Sequence, residues 1–189
     1  MEQISILGCG WLGFPLAKSL LKKGHKVKGS TTTPSKIEFL EKAGIQSFLI
    51  SLGTKVEGKI DDFLEDSDIL IVDIPPKLRG DLSKSFVSKI EAVVPFIEKS
   101  TIKKIIFISS TSVYADDNSI VTEETQPLPE TESGKQLVAS EKLLHSNTHF
   151  QTTTIRFGGL IGEDRHPIHF LAGKSNIENP EAPVNLIHQ

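Results

Sequence analysis

Gly8, Gly10 and Gly13 stand at the G-x-G-x-x-G spacing in the run Ile4 to Gly13, ISILGCGWLG. Behind a short apolar strand, Ile4 to Leu7, that spacing suits the capture of a pyrophosphate. The first glycine permits a tight turn, the second lets the backbone approach the phosphates, and the third lets the following helix press on the strand. A helix that starts there offers free N–H groups and the positive end of its dipole to an anion. The local context agrees: Leu12, Leu16 and Leu20, with Ala17 and Leu21 beside them, recur at helical intervals up to Gly24. Pro15 falls in the first turn, where its missing N–H has no partner to lose. The spacing predicts a dinucleotide site with Gly8, Cys9, Gly10, Trp11, Leu12 and Gly13 as cofactor-binding residues; the plainer alternative is a tight strand-to-helix turn.

Such a site needs a second strand whose end meets the adenosine ribose, and His25 to Thr31 is placed for it. NAD-specific folds usually carry Asp or Glu there to bind the 2′-hydroxyl. No acidic residue occurs between Glu2 and Glu38; the segment offers Ser30, Thr31, Thr32 and the cation Lys36 instead. Those residues suit a 2′-phosphate, so NADP is favoured over NAD. The same segment also reads as a proline turn and N-cap for a helix from Ser35 to Ala43. Gln46 to Ser51 follows as a strand. The fourth strand, Ile69 to Ile74, is an apolar run broken by Asp73 and closed by Pro75 and Pro76. Open α/β sheets bind ligands at the carboxyl ends of their strands, so Ile74 and Pro75 are expected in the cofactor crevice.

The remaining elements complete the frame. Asp61 to Asp68 is an acidic stretch whose apolar side is Phe63 and Leu64, a solvated helix face rather than a metal or acid/base pair. Leu82, Phe86, Ile90, Val93, Val94 and Ile97 mark a long amphipathic helix from Leu82 to Ser100, which Pro95 should kink or crowd. Lys103 to Ser109 is a fifth strand that runs into Ser110. Strands alternating with helices predict a doubly wound, mainly parallel, Rossmann-like sheet in three α/β/α layers. The 189 residues are expected to form one domain, 1–189. A net charge of −3 gives no nucleic-acid footprint, and a single cysteine suits a reducing compartment. Neither a signal peptide nor an apolar run of membrane-spanning length is visible, so no membrane partner and a cytoplasmic location are expected.

Phe107 to Tyr114, FISSTSVY, together with the glycine loop and with Ile155 to Gly162, IRFGGLIG, resembles the extended and atypical short-chain dehydrogenase/reductase superfamily, in particular the NAD-dependent epimerase/dehydratase family. The resemblance covers nearly the whole chain. It implies that the Ser110 hydroxyl, or that of its neighbour Thr111, hydrogen-bonds the substrate oxygen. It also implies a Tyr-x-x-x-Lys acid/base pair on the next helix, but the aligned positions hold Ser133 and Leu137. Lys135 lies on another face of that helix. Tyr114, the single tyrosine, is the substitute acid to consider, with packing or pocket lining as its plainer role. Related enzymes often carry a basic residue after the sixth strand near the substrate's phosphate; Arg165 stands there, or pairs with Glu163 and Asp164. His166 and His169 are a conceivable metal pair without a third ligand, and no metal is expected.

The resemblance implies a smaller substrate-binding region after this point; with an expected strand from Pro183 to His188 just before Gln189, most of that region is expected to lie outside 1–189. Two functions follow: an NAD(P)-dependent oxidoreductase or epimerase/dehydratase on a nucleotide sugar or other small metabolite, or a non-catalytic dinucleotide-binding module. The resemblance also implies a homodimer through helices 82–100 and 133–146; on the first of these Val87 and Val94 lie to one side of the residues that serve the sheet and are the candidates to face a partner, the plainer alternative being that all the apolar residues of these helices face the sheet.

Overall fold

The computed structural model describes residues 1–76, 85–177, 181 and 183–189. Its first strand, β1 (Gln3–Leu7), lies in the middle of a seven-stranded sheet. On one side run β2 (Lys26–Thr31), β3 (Gln46–Leu52) and β4 (Val56–Gly58). On the other run β5 (Ile69–Val72), β6 (Lys104–Ser110) and β7 (Gln151–Phe157). The spatial order is β4-β3-β2-β1-β5-β6-β7, and every pairing is parallel except the β3–β4 hairpin at the edge. The chain therefore leaves the centre in one direction, returns, and leaves in the other, which makes the β1–β5 boundary the switch point where such sheets bind ligands.

Alternation along the strands builds two cores. Ile4 and Ile6 of β1 join Val27, Ile71 and Ile45 beneath helices α1 (Gly13–Lys22) and α2 (Ile37–Lys42), which contribute Ala17 and Leu40. Leu7, Leu70, Val72, Ile105 and Phe107 point the other way. They meet α3 (Ile60–Leu64), α4 (Phe86–Lys99) and α5 (Glu132–His145) through Phe63, Phe86, Ile90, Val93, Leu137 and Leu144. A strand such as β5, with four consecutive apolar residues, is buried on both faces, as parallel strands in three-layer folds are.

Local departures from the sequence expectations have local causes. The segment before α2 opens as a 3-10 turn over Pro34–Lys36, since proline starts a turn more readily than it joins a helix interior. β5 ends at Val72, two residues earlier than expected; the Asp73 N–H still donates to the carbonyl of Leu7, the last residue of β1 (2.9 Å), and the chain then turns away toward Pro75 and Pro76. α4 continues through Pro95 to Lys99; the expected start at Leu82 lies outside the described residues. The acidic stretch forms α3, with Asp61 and Asp62 exposed and Ile60, Phe63 and Leu64 buried. The hairpin strand β4 was not expected. After β7 come β8 (Gly159–Ile161), α6 (Ile168–Leu171) and β9 (Leu186–His188); β8 and β9 pair in parallel as a separate two-stranded sheet. Val94 is buried in the core and Val87 is half-buried.

Candidate functional site

The carboxyl ends of β1, β2, β5 and β6 open on one cleft of about 530 Å³. Gly8 to Leu12 line it, and the three glycines do different work there. Gly8 has φ +112°, and a Cβ on it would lie 2.2 Å from the Asp73 carbonyl oxygen. A Cβ on Gly13 would lie 2.3 Å from the Gly8 carbonyl oxygen, so α1 packs against the turn through bare backbone, and Gly13 itself is buried. Gly10 is the reverse case: nothing lies within 4 Å of where its Cβ would be. The missing side chain leaves free space at the helix entrance, a cradle suited to a phosphate and not needed by the protein's own packing. Two bonds to Ser30 fasten the loop to β2: Gly8 N–H to its Oγ (2.9 Å) and Cys9 N–H to its carbonyl (2.7 Å).

At the end of β2, Ser30, Thr31, Thr32 and Lys36 line the same cleft, and Ile74 and Pro75 line it beyond β5. Asp73 is the carboxylate among the described lining residues. Burial pushes its carboxyl up to about 7, with the Gly13 N–H pulling the other way. The buried Cys9 thiol is pushed up to about 12 by burial, with Asp73 adding to the effect, so it stays protonated and serves packing.

Ser110 ends β6 at the cleft wall. Its Oγ accepts the Ser112 N–H (3.1 Å), which leaves the hydroxyl proton available to a ligand. Thr111 and Tyr114 do not line the cleft. The Tyr114 hydroxyl donates to the Thr122 carbonyl (3.1 Å) and accepts from Arg156 Nη1 (2.6 Å). Arg156 is forked on Glu141 through Nε (3.2 Å) and Nη2 (2.7 Å), and Glu141 also accepts from Ser109 Oγ (2.6 Å). The Glu141 hydrogen bond raises the arginine further above its ordinary value. Tyr114 is thus a tie between the loop after β6 and β7. Leu137, buried on α5, lines the cleft beside Ser109 and Ser110, whereas Ser133 does not.

Arg165 lines the cleft with its guanidinium 4.2 Å from the centre of the Trp11 ring. Asp164 accepts the Trp11 indole N–H (2.6 Å), and among the described residues no carboxylate pairs with Arg165. His166 and His169 meet ring to ring at 6.5 Å away from the cleft, and among the described residues no three His, Cys, Asp or Glu side chains converge as a metal site. Lys89 was missed, although a signal existed: three residues after Phe86 and four before Val93, it sits on the flank of the buried face of α4 and lines the cleft. A larger depression of about 1000 Å³ lies at the opposite end of the sheet, but of the two cations among its described lining residues Lys28 already donates to the Asp62 and Glu65 carbonyls and Lys59 pairs with the Asp62 carboxylate (3.8 Å).

No helix among the described residues is long and apolar enough to cross a membrane. The model of the NAD binding domain of 6-phosphogluconate dehydrogenase matches residues 3–128. Protein YeeZ of Escherichia coli K12 is 37% identical over 190 residues, covering 100% of this chain and 69% of that protein. Among solved structures, a conserved protein of unknown function from Silicibacter pomeroyi superposes with TM-score 0.78 at 22% identity, over 100% of this chain and 64% of that one. A provisionally assigned NAD-dependent epimerase/dehydratase from Methylobacillus flagellatus gives 0.71 at 28%, over 99% and 65%. UDP-glucuronic acid 4-epimerase from Bacillus cereus, in complex with NAD, gives 0.70 at 22%, over 87% and 58%, a likeness of fold. The chain thus spans under two thirds of these structures. With its glycine loop, its strand order and that match in agreement, the chain belongs to the NAD-binding domain family described for 6-phosphogluconate dehydrogenase.

Proposed function

We propose that this chain is the dinucleotide-binding part of an NAD(P)-dependent oxidoreductase or epimerase/dehydratase acting on a hydroxyl- or carbonyl-bearing metabolite, such as a nucleotide sugar, with NADP favoured over NAD. The observation that carries the reading is the convergence of four strand ends on a cleft whose glycine loop is bare at Gly10. In this reading Gly8 to Gly13 hold the pyrophosphate, and Ser30, Thr31, Thr32 and Lys36 receive the ribose and its 2′-phosphate. Ile74 and Pro75 wall the site, and the Ser110 hydroxyl donates a hydrogen bond to the substrate oxygen and orients it. The bound nicotinamide supplies the hydride chemistry. The chain 1–189 acts as one domain in the cytoplasm.

A second reading, a non-catalytic dinucleotide-binding module, draws on the wall opposite. Leu137 brings an apolar side chain where the resembled family uses a lysine, Ser133 lies off the cleft, and the Tyr114 hydroxyl is engaged by Arg156 and Thr122. Proton transfer by a positioned acid/base contributes about 10²- to 10⁴-fold, so without that pair turnover is expected to be slight. Titration of NADPH and NADH against the fluorescence of Trp11, the single tryptophan, tests the binding claim. Tighter NADPH binding is expected, a tenfold preference being about 1.4 kcal/mol. Equal affinities or tighter NADH binding would remove the preference, and no binding of either would remove the reading. Gly10→Asp should abolish both while leaving the thermal midpoint nearly unchanged, because its Cβ meets nothing. Turnover of any substrate at about 1 s⁻¹ or more would dismiss the second reading.

A further inference from the structure

We propose that Arg165 is a cofactor-binding residue, held on Trp11 to cover the pyrophosphate of the dinucleotide, and that the loop after β8 is therefore part of the cofactor site. The inference rests on the dinucleotide reading above. Trp11 stands inside the glycine loop, between Gly10 and Gly13, and the β8–β9 unit grips it from several sides. Its indole N–H donates to Asp164 (2.6 Å), its carbonyl accepts from the Gln189 side-chain amide, and Gly162 packs so close that a Cβ there would lie 2.8 Å from Trp11 Cζ2. On this fixed platform the Arg165 guanidinium stacks at 4.2 Å.

The stack decides what the guanidinium can do. A planar cation laid on an indole face is oriented, and its N–H edges stay open to an acceptor. Asp164, the acid beside it in sequence, is turned to the indole, so the positive charge of Arg165 has no carboxylate partner among the described residues. Arg165 and the bare Gly10 line one cleft. A diphosphate entering there meets the open space at Gly10 and a fork of guanidinium donors, the kind of pairing for which arginine is favoured over lysine. A carboxyl group, Asp73, lines that cleft too, so a cation set at the glycine loop offsets repulsion of an incoming polyanion.

Calorimetric titration of the full chain with NADH, with ADP and, by displacement, with adenosine tests this. Arg165→Gln is expected to weaken NADH and ADP about tenfold or more, to leave adenosine unchanged because it has no phosphate, and to leave the thermal midpoint close to that of the wild type. Arg165→Lys should fall between, since it keeps the charge and loses the fork. NADH and ADP affinities within twofold of the wild type in Arg165→Gln would overturn the inference. So would an equal loss for adenosine, which would mean that Arg165 acts only through the shape of the loop. If Arg165→Gln does not fold, Arg165→Lys is judged by the same comparison. A wild-type chain that binds neither NADH nor ADP would instead overturn the dinucleotide reading itself.

Discussion

Asp73 places a carboxyl group at the cleft where a polyanion is to be received. Its raised value, about 7 against 3.8, means that the folded chain holds this proton more tightly than the unfolded chain does. The stability this contributes is fully present below about pH 4 and is lost as the pH rises through about 7. Urea unfolding should therefore show Asp73→Asn gaining on the wild type as the pH is raised from 4 to 8. A gap independent of pH would contradict the assignment. Ligand binding should follow the same proton. Among the described residues the other charged groups that line the cleft are the cations Lys36, Lys89 and Arg165, so ionised Asp73 is the repulsive one of these. NADH affinity should tighten about tenfold, ~1.4 kcal/mol, between pH 8 and pH 5.5. In Asp73→Asn that dependence should flatten.

The elements on the Ser110 side of the cleft, β6, α5 and β7, are cross-linked by Ser109, Glu141 and Arg156. Glu141 is 4% exposed, so removing it strands a half-buried guanidinium and the buried Ser109 hydroxyl. Glu141→Ala should cost about 2–4 kcal/mol in urea unfolding, and a loss below 0.5 kcal/mol would show the network to be incidental. None of it was legible in the sequence. Arg156 and Glu141 are 15 residues apart, Trp11 and Asp164 are 153 apart, and no local period joins either pair. What was legible had local causes. The glycine loop is fixed by spacing, β5 and β6 by unbroken apolar runs, and α4 by its three-and-four rhythm. The hairpin strand β4 escaped because Val56–Gly58 is too short and polar to show alternation. Asp73 read as a flaw in a strand because its role depends on Gly13 and Cys9, which only the switch point brings beside it.

At the scale of the molecule, assembly and the long-range closures matter. The pairing of two copies through α4 and α5 is a proposal resting on a narrow apolar margin, since Val94 belongs to the core and Val87 alone of the two is half-buried. Light scattering at micromolar concentration should give the mass of two chains, and the mass of one would end it. The grip of the β8–β9 unit on Trp11 bears also on the order of folding. Bonds from Trp11 reach residues 153 and 178 positions away. Closing loops of that length carries an entropic cost that must be met before the contacts return anything. The central sheet, whose crossovers are shorter, should therefore form first. In stopped-flow refolding the far-ultraviolet circular dichroism would recover ahead of the tryptophan emission. Capacity for NADH would return with the slower signal, because the indole reports the moment at which the β8–β9 unit closes on the glycine loop.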